Sequence, residues 1–80
     1  MPTVLRDGPY RFFFYAGDRN DPLHVHVERD ENVAKYWLDP VRLHSSGGFA
    51  RMELVRIERI IKTHQDELKR AWYGYHGDSN

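Results

Sequence analysis

The sequence predicts an α+β fold, in which a small antiparallel sheet of three to five strands packs one face on a long C-terminal helix. Two patterns of hydrophobic residues indicate this class. The run HVHVER, residues 24 to 29, alternates between polar and apolar side chains from His24 to Glu28, as a half-buried strand does. From Arg51 the apolar residues recur at steps of three and four, the spacing of one face of an α-helix. A chain of 80 residues is expected to form a single domain, β-rich over residues 1–44 and helical over residues 51–75.

The strands are predicted from short runs of β-favouring residues that are separated by turn formers. The run YRFFFY, residues 10 to 15, is aromatic and too short for a helix, so it indicates a strand. A cluster of turn-forming residues separates it from HVHVER: Gly17, Asp18, Asn20, Asp21 and Pro22. Residues 32 to 38 form the next strand, which ends before Pro40 because proline lacks a backbone donor. Residues 3 to 5 and 41 to 43 are candidates for two edge strands.

The predicted helix follows Gly47 and Gly48, with Ala50 at its N-cap. Its apolar stripe consists of Leu54, Ile57, Ile61, His64, Leu68, Trp72 and Tyr75. A break near residues 63 to 65 would give two helices instead of one.

A two-residue turn at Asp30 and Glu31 would fix the register of the central hairpin. The face expected to meet the helix then carries Val25, Val27, Ala34, Tyr36 and Leu38. The opposite face, which we expect to be solvent-exposed, carries His24, His26, Glu28, Lys35 and Trp37. The preceding strand offers Phe12 and Phe14 to one side and Arg11, Phe13 and Tyr15 to the other, and its orientation is left open.

The polar face of this hairpin suggests acid–base chemistry on RNA. His24 and His26 titrate near neutrality, so one imidazole could remove a 2′-hydroxyl proton while the other protonates the leaving oxygen. Lys35 would stabilise the developing negative charge. Substrate binding and base stacking are assigned to Arg11, Phe13, Tyr15 and Trp37. This chemistry requires no metal and no cofactor.

Two other interpretations of the histidine strand remain open. Imidazoles two residues apart on a strand can share a metal ion, but Glu28 lies about 13 Å along the strand from His24. Lys35, predicted opposite His26, would repel a cation. No metal ligands are therefore assigned. Alternatively, the histidines are amphipathic residues of a half-exposed strand, which contact neighbours or a partner chain and catalyse nothing.

The order MPTVLR, YRFFFY, HVHVE, AKYWLDP and a C-terminal helix with an AW pair resembles the small bacterial family catalogued as domain of unknown function 4160. The resemblance covers nearly the whole chain. It implies a short protein encoded beside a small cognate protein, in an arrangement similar to type II toxin–antitoxin pairs. The resulting hypothesis is a toxin-like, metal-independent ribonuclease. The alternatives are a non-catalytic module that binds a protein partner or nucleic acid, and a small metal-binding protein.

The outer face of the predicted helix is locally basic. Its cationic residues are Arg51, Arg56, Arg59, Lys62, Lys69 and Arg70. Arg59 and Lys62 are assigned to a contact with RNA, DNA or an acidic partner, although a solvated face is the alternative. A single helix about 36 Å long would extend beyond the sheet. Trp72 and Tyr75 near its end are therefore expected to contact a partner chain, in a homodimer or in a complex.

Composition limits the compartment and the bulk electrostatics. The absence of cysteines excludes disulfides and thiolate metal sites, and the expected location is the cytoplasm. No apolar run approaches the roughly 18 residues that span a bilayer, and the start MPTVLRDG does not resemble a signal peptide. Neither membrane association nor export is expected. Twelve basic and twelve acidic side chains cancel, so total charge favours no class of partner.

Overall fold

A computed structural model describes residues 2–77 and contains a five-stranded antiparallel sheet followed by two α-helices. The strands are β1 (Thr3–Asp7), β2 (Tyr10–Phe13), β3 (His24–Arg29), β4 (Asn32–Leu38) and β5 (Val41–Ser45). Each strand pairs with its neighbour in the chain, so the sheet order is β1-β2-β3-β4-β5. The helices are α1 (Arg51–Thr63) and α2 (Gln65–His76). The α+β class and both candidate edge strands are confirmed. Among the described residues, no helix is long and apolar enough to cross a membrane.

The register of the central hairpin is the predicted one. His24 lies opposite Trp37, and His26 lies opposite Lys35. The turn contains Asp30, which adopts the left-handed backbone conformation with φ of 55°. An aspartate tolerates this conformation better than most residues, so the turn sequence and the register agree.

The core lies between one face of the sheet and the two helices. Its fully buried side chains on the strands include Val25, Val27, Ala34, Tyr36 and Leu38, the apolar set predicted for the hairpin. Phe12 and Phe14 join this core, so Arg11, Phe13 and Tyr15 belong to the opposite side. The hydroxyl of Tyr36 donates a hydrogen bond to the carbonyl oxygen of Leu54 at 2.9 Å, which satisfies its buried polar atom.

The helical segment breaks at His64, so the single long helix is wrong and the alternative of two helices, with a break near residues 63 to 65, is confirmed. The backbone N–H of His64 lies 3.1 Å from the carbonyl oxygens of both Ile60 and Ile61, and α2 begins at the next residue. Gln65 Nε2 then donates to the carbonyl oxygen of Leu38 at 2.7 Å, which ties the start of α2 to the sheet.

The break also removes the overhang that the single helix predicted. Leu68 and Trp72 of α2 are 0% and 4% exposed, so both are part of this chain's own core. The prediction that Trp72 contacts a partner chain is therefore wrong. After the break at His64, α2 lies against the sheet, where it contacts β1 and β4.

The N-terminal turn of α1 is attached to the sheet by Glu53. Arg29 donates Nη2 to Glu53 Oε1 at 2.8 Å and also donates Nε to Oε2, a bidentate contact. The hydroxyl of Tyr10 donates to the same Oε2 at 2.9 Å. The hydrogen bond from Arg29 holds the pKa of Glu53 below its ordinary value. This network joins β2, β3 and α1.

Candidate metal centre

The two histidines of β3 share the face predicted for them, but they are covered instead of exposed. Their ring centroids are 5.0 Å apart. A short 3-10 helix, Ala16–Asn20, lies over the end of β3, and we call it the covering turn. Trp72 packs against His24 with ring centroids 5.1 Å apart, and the His24 side chain is 0% exposed. The prediction that both imidazoles are solvent-exposed is therefore wrong for His24. It holds only in small part for His26, which is half-buried.

The covering turn carries Asp18 into contact with both imidazoles. The backbone N–H of Tyr15 donates to Asp18 Oδ2 at 3.0 Å, and the N–H of Asp18 donates to the carbonyl oxygen of Tyr15 at the same distance. This reciprocal pair is the local reason for the turn, since aspartate readily bonds to nearby backbone. Its carboxylate is thereby held over the strand with little freedom to rotate.

Three potential ligand atoms converge at this point. Asp18 Oδ2 lies 3.0 Å from His24 Nε2 and 3.1 Å from His26 Nε2, and all three side chains offer ligand atoms within 4.8 Å of one another. Two donors about 2.1 Å from the same metal ion are separated by about 3.0–3.4 Å in octahedral or tetrahedral geometry. The oxygen–nitrogen separations therefore match those of neighbouring ligands around one ion.

The hydrogen bond of His24 Nδ1 fixes the tautomer of the neutral ring. His24 Nδ1 lies 2.9 Å from the carbonyl oxygen of Pro22, and a carbonyl only accepts, so Nδ1 carries the hydrogen. In the neutral ring, Nε2 then presents a lone pair. This nitrogen is buried and has no hydrogen-bond partner among the described residues, because its 3.0 Å approach to Asp18 lies outside hydrogen-bond geometry. Two acceptors thus lie side by side.

The electrostatics favour an anionic carboxylate beside neutral His26. Burial alone would raise the pKa of Asp18, but the hydrogen bonds from the Tyr15 N–H and from His26, together with the charge that either histidine carries when protonated, outweigh it and hold this pKa below its usual value. Burial lowers the pKa of His26, against the opposing effect of Asp18. In the neutral ring, His26 Nε2–H donates a hydrogen bond to Asp18 Oδ2 at 3.1 Å, so a metal ion at this nitrogen would displace its hydrogen. Metal coordination requires an ionised carboxylate and unprotonated imidazole nitrogens.

The remaining residues of the predicted catalytic set lie around His26. The charge of Lys35 is among the causes that lower the pKa of His26, and its Nζ lies 4.8 Å from the centroid of the half-buried Trp37 ring. Phe13 stacks on His26 with centroids 5.4 Å apart, and Tyr15 approaches the same ring edge-on at 4.5 Å.

The surface predicted to stack on RNA bases is therefore only partly accessible to a ligand. Phe13 is 1% exposed, beneath the guanidinium of Arg11, so the prediction that it stacks on a base is wrong. Arg11 itself forms a salt bridge with Glu28 at 2.7 Å and donates a hydrogen bond to the hydroxyl of Thr3 at 3.1 Å. Tyr15 remains exposed at the rim.

The residues assigned to partner contacts are divided between surface and core. Arg59 and Lys62 lie on the exposed face of α1, where Lys62 pairs with Glu58 at 3.2 Å. They border a shallow concavity of about 420 Å³. Tyr75 is 40% exposed, whereas Trp72 is buried as described above.

The sequence drew attention to His24 and His26 as a possible metal-binding pair, assigned neither as a ligand, and gave no functional role to Asp18. The third ligand considered for this pair, Glu28 on β3, instead binds Arg11. The available signal was an acidic residue within the turn cluster that precedes the histidine strand. Although the sequence assigned no metal ligands, the fold brings three potential ligand atoms together.

Comparison with known proteins gives one finding. A family model described as "Domain of unknown function (DUF4160)" matches residues 10–73, which include Asp18, His24 and His26. Searches of curated proteins and of solved structures found no match.

Proposed function

We propose that this chain, which belongs to the family described as domain of unknown function DUF4160, binds one divalent transition-metal ion. The description of the family assigns no activity. The ligands are Asp18 Oδ2, His24 Nε2 and His26 Nε2. Two imidazoles and one carboxylate suit zinc and ferrous iron better than calcium or magnesium, which prefer oxygen ligands.

A single observation carries this proposal, the orientation of His24. Its Nδ1–H bonds to Pro22, as metal-bound histidines commonly bond through their second nitrogen. The remaining lone pair is buried 3.0 Å from the Asp18 carboxylate without being aimed at it, and unpaired buried acceptors are unfavourable. A cation bound by both groups converts this unfavourable contact into coordination.

Three protein ligands leave at least one coordination position for water or a substrate. Sites of this kind are typical of catalytic metal centres, whereas structural zinc sites use four protein ligands. The bound ion would act as a Lewis acid, and the surrounding Phe13 and Tyr15 rings would keep the ligands in place.

Calorimetric titration of the metal-free protein with Zn²⁺ tests the proposal. We expect one ion per chain, and substitution Asp18→Asn or His24→Ala should lower the affinity by at least about 100-fold. His44→Ala is the matched control, because His44 is exposed on β5 and should leave the affinity unchanged. Circular dichroism verifies that each variant folds. If His24→Ala does not fold, the nearly isosteric Asp18→Asn alone tests the ligand assignment. Equal affinity in wild type and Asp18→Asn would refute the assignment.

Ribonuclease chemistry without a metal is a second proposal, supported by Lys35 beside His26. The lysine charge acts on that imidazole, and Tyr15 is exposed at the rim. The complete burial of His24 weighs against its direct contact with RNA. RNA turnover by wild type in the presence of a chelator, lost in His26→Ala, would favour this chemistry over metal binding.

A contact with a small cognate protein or with nucleic acid rests on the resemblance noted for the sequence. The surface offered for it consists of Arg59, Lys62 and Tyr75. Charge reversal at Arg59 and Lys62 together should weaken such binding, whereas reversal at Arg6 on β1 serves as the control. Unchanged binding in the double variant would exclude this face.

A further inference from the structure

A mostly apolar cleft lies at the end of the sheet where β4 turns into β5. It has a volume of about 260 Å³, and we call it the Trp37 cleft. Its lining residues are Pro22, Leu23, Trp37, Asp39, Pro40 and Arg42. None of these residues is a proposed metal ligand, so the cleft is a site of its own.

The walls of the Trp37 cleft are held in place by hydrogen bonds to backbone carbonyls. The N–H of Leu38 donates to the carbonyl oxygen of Leu23 at 3.0 Å, which joins the segment before β3 to the end of β4. The carbonyl oxygen of Pro22 accepts the hydrogen bond from His24 Nδ1 at 2.9 Å. Because these walls are already ordered, little conformational entropy is lost when a ligand binds.

The apolar part of the lining remains in contact with solvent. Trp37 and Leu23 are half-buried, and Pro22 and Pro40 are exposed. An aromatic side chain surrounded by other apolar groups is typical of small-molecule sites, where the removal of such surface from water favours binding. The cleft is therefore suited to a ligand with an apolar ring.

Arg42 is the cationic group of the cleft. It lies directly opposite Trp37 in the β4–β5 ladder, so both side chains project from the same face of the sheet. Arg42 is exposed and forms no salt bridge with any residue from 2 to 77. The other charged residue of the lining, Asp39, is paired with Lys69 at 3.2 Å. The unpaired charge in the lining is therefore positive.

From this arrangement we propose that the Trp37 cleft binds a small aromatic carboxylate. The inference goes beyond the proposed metal site and does not depend on it. The ring of the ligand packs against Trp37 and the neighbouring prolines, and its carboxylate accepts two parallel hydrogen bonds from the guanidinium of Arg42. Asp39 lies in the same lining, which favours a monoanion over a phosphate dianion. About 260 Å³ corresponds to roughly nine water molecules at about 30 Å³ each, which limits the ligand to one small ring system.

NMR titration of the ¹⁵N-labelled, metal-free protein with 2-naphthoate, in the presence of a chelator, tests the inference. We expect saturable shifts of the Trp37 indole N–H signal, which Trp37→Phe identifies by its loss, with a Kd on the order of 1 mM. Arg42→Gln should weaken binding by about 5- to 10-fold, because it removes an exposed charge-assisted pair. Arg6→Gln is the matched control, since Arg6 is an exposed arginine on β1 at the opposite edge of the sheet and should leave the affinity unchanged.

Uncharged 2-naphthamide separates the contribution of the charge from that of the ring. It should bind wild type at least about 5-fold more weakly than 2-naphthoate does, and Arg42→Gln should not change its affinity. The inference is overturned if 2-naphthoate leaves the Trp37 signal unshifted, if wild type and Arg42→Gln bind it equally, or if the amide binds as tightly as the carboxylate. Zn²⁺ affinity should be the same in wild type and Arg42→Gln, so failure of this inference leaves the metal proposal unaffected.

Discussion

The carboxylate of Asp18 and the imidazole of His24 approach each other to 3.0 Å without forming a hydrogen bond. Because His24 Nδ1–H donates a hydrogen bond to the carbonyl oxygen of Pro22, Nε2 of the neutral ring is an acceptor, as is the carboxylate beside it. A cation between them reverses the sign of this interaction. The free energy of unfolding should therefore depend strongly on bound metal.

Zinc should raise the thermal stability of the protein. At a free Zn²⁺ concentration about 100 times the Kd, binding to the folded state alone adds about 2.7 kcal/mol to the free energy of unfolding. In a domain of this length the melting temperature should rise by roughly 10–20 °C. Calorimetric melting with Zn²⁺ and then with excess chelator measures the effect. Asp18→Asn should show little rise, and an equal rise in that variant would contradict the ligand assignment.

Gly47→Ala should destabilise the fold. Gly47 has φ of 58°, and a Cβ built there would lie 1.7 Å from the carbonyl oxygen of Val33 on β4. Both the left-handed backbone and this contact oppose a side chain, so we expect a loss of about 2 kcal/mol or more. Gly17→Ala is the control, because a Cβ there has no neighbour within 4 Å among the described residues. Chemical denaturation compares the two, and equal stability would refute the prediction.

Acid should weaken the attachment of α1 to the sheet through Glu53. Its pKa is lower in the folded state than the ordinary 4.5 because of Arg29, so this contribution to stability is present above pH 4.5. The contribution is lost as the pH falls through the folded-state pKa. Denaturation midpoints measured between about pH 6 and about pH 3 should fall less steeply in Glu53→Gln than in wild type. In the control Asp66→Asn, the denaturation midpoint should depend on pH as it does in wild type. The same pH dependence in Glu53→Gln would exclude a role for Glu53 in acid sensitivity.

The Tyr36 hydroxyl should remain protonated in strongly alkaline solution. Burial, assisted by the charge of Glu58, raises its pKa to about 12 from the ordinary 10.0. Its contribution to stability is therefore present below pH 10 and lost as the pH rises through 12. Ultraviolet titration of wild type minus Tyr36→Phe should isolate a late ionisation. At neutral pH, Tyr36→Phe should also lower the free energy of unfolding by about 1 kcal/mol, because it removes the hydrogen bond to Leu54. Tyr73→Phe should not, because Tyr73 is exposed. A Tyr36 ionisation near pH 10 would refute the assignment.

The strands and the hairpin register could be predicted because they depend on local signals. Alternation in β3 assigned each side chain to a face, and the turn at Asp30 paired His26 with Lys35. The orientation of β2 remained open, since both of its faces are aromatic. The helix break at His64 had only a weak local signal, because the apolar stripe continues through it.

The sequence by itself determined which face each histidine occupies, since pleating is a property of the strand alone. Only the tertiary structure decided what covers that face. The covering turn brings Asp18 over His24, and Trp72 closes the same ring from the other end of the chain. Contacts of this kind join segments that are distant in sequence, and no local periodicity encodes them. The three potential ligand atoms therefore come together only in the folded chain.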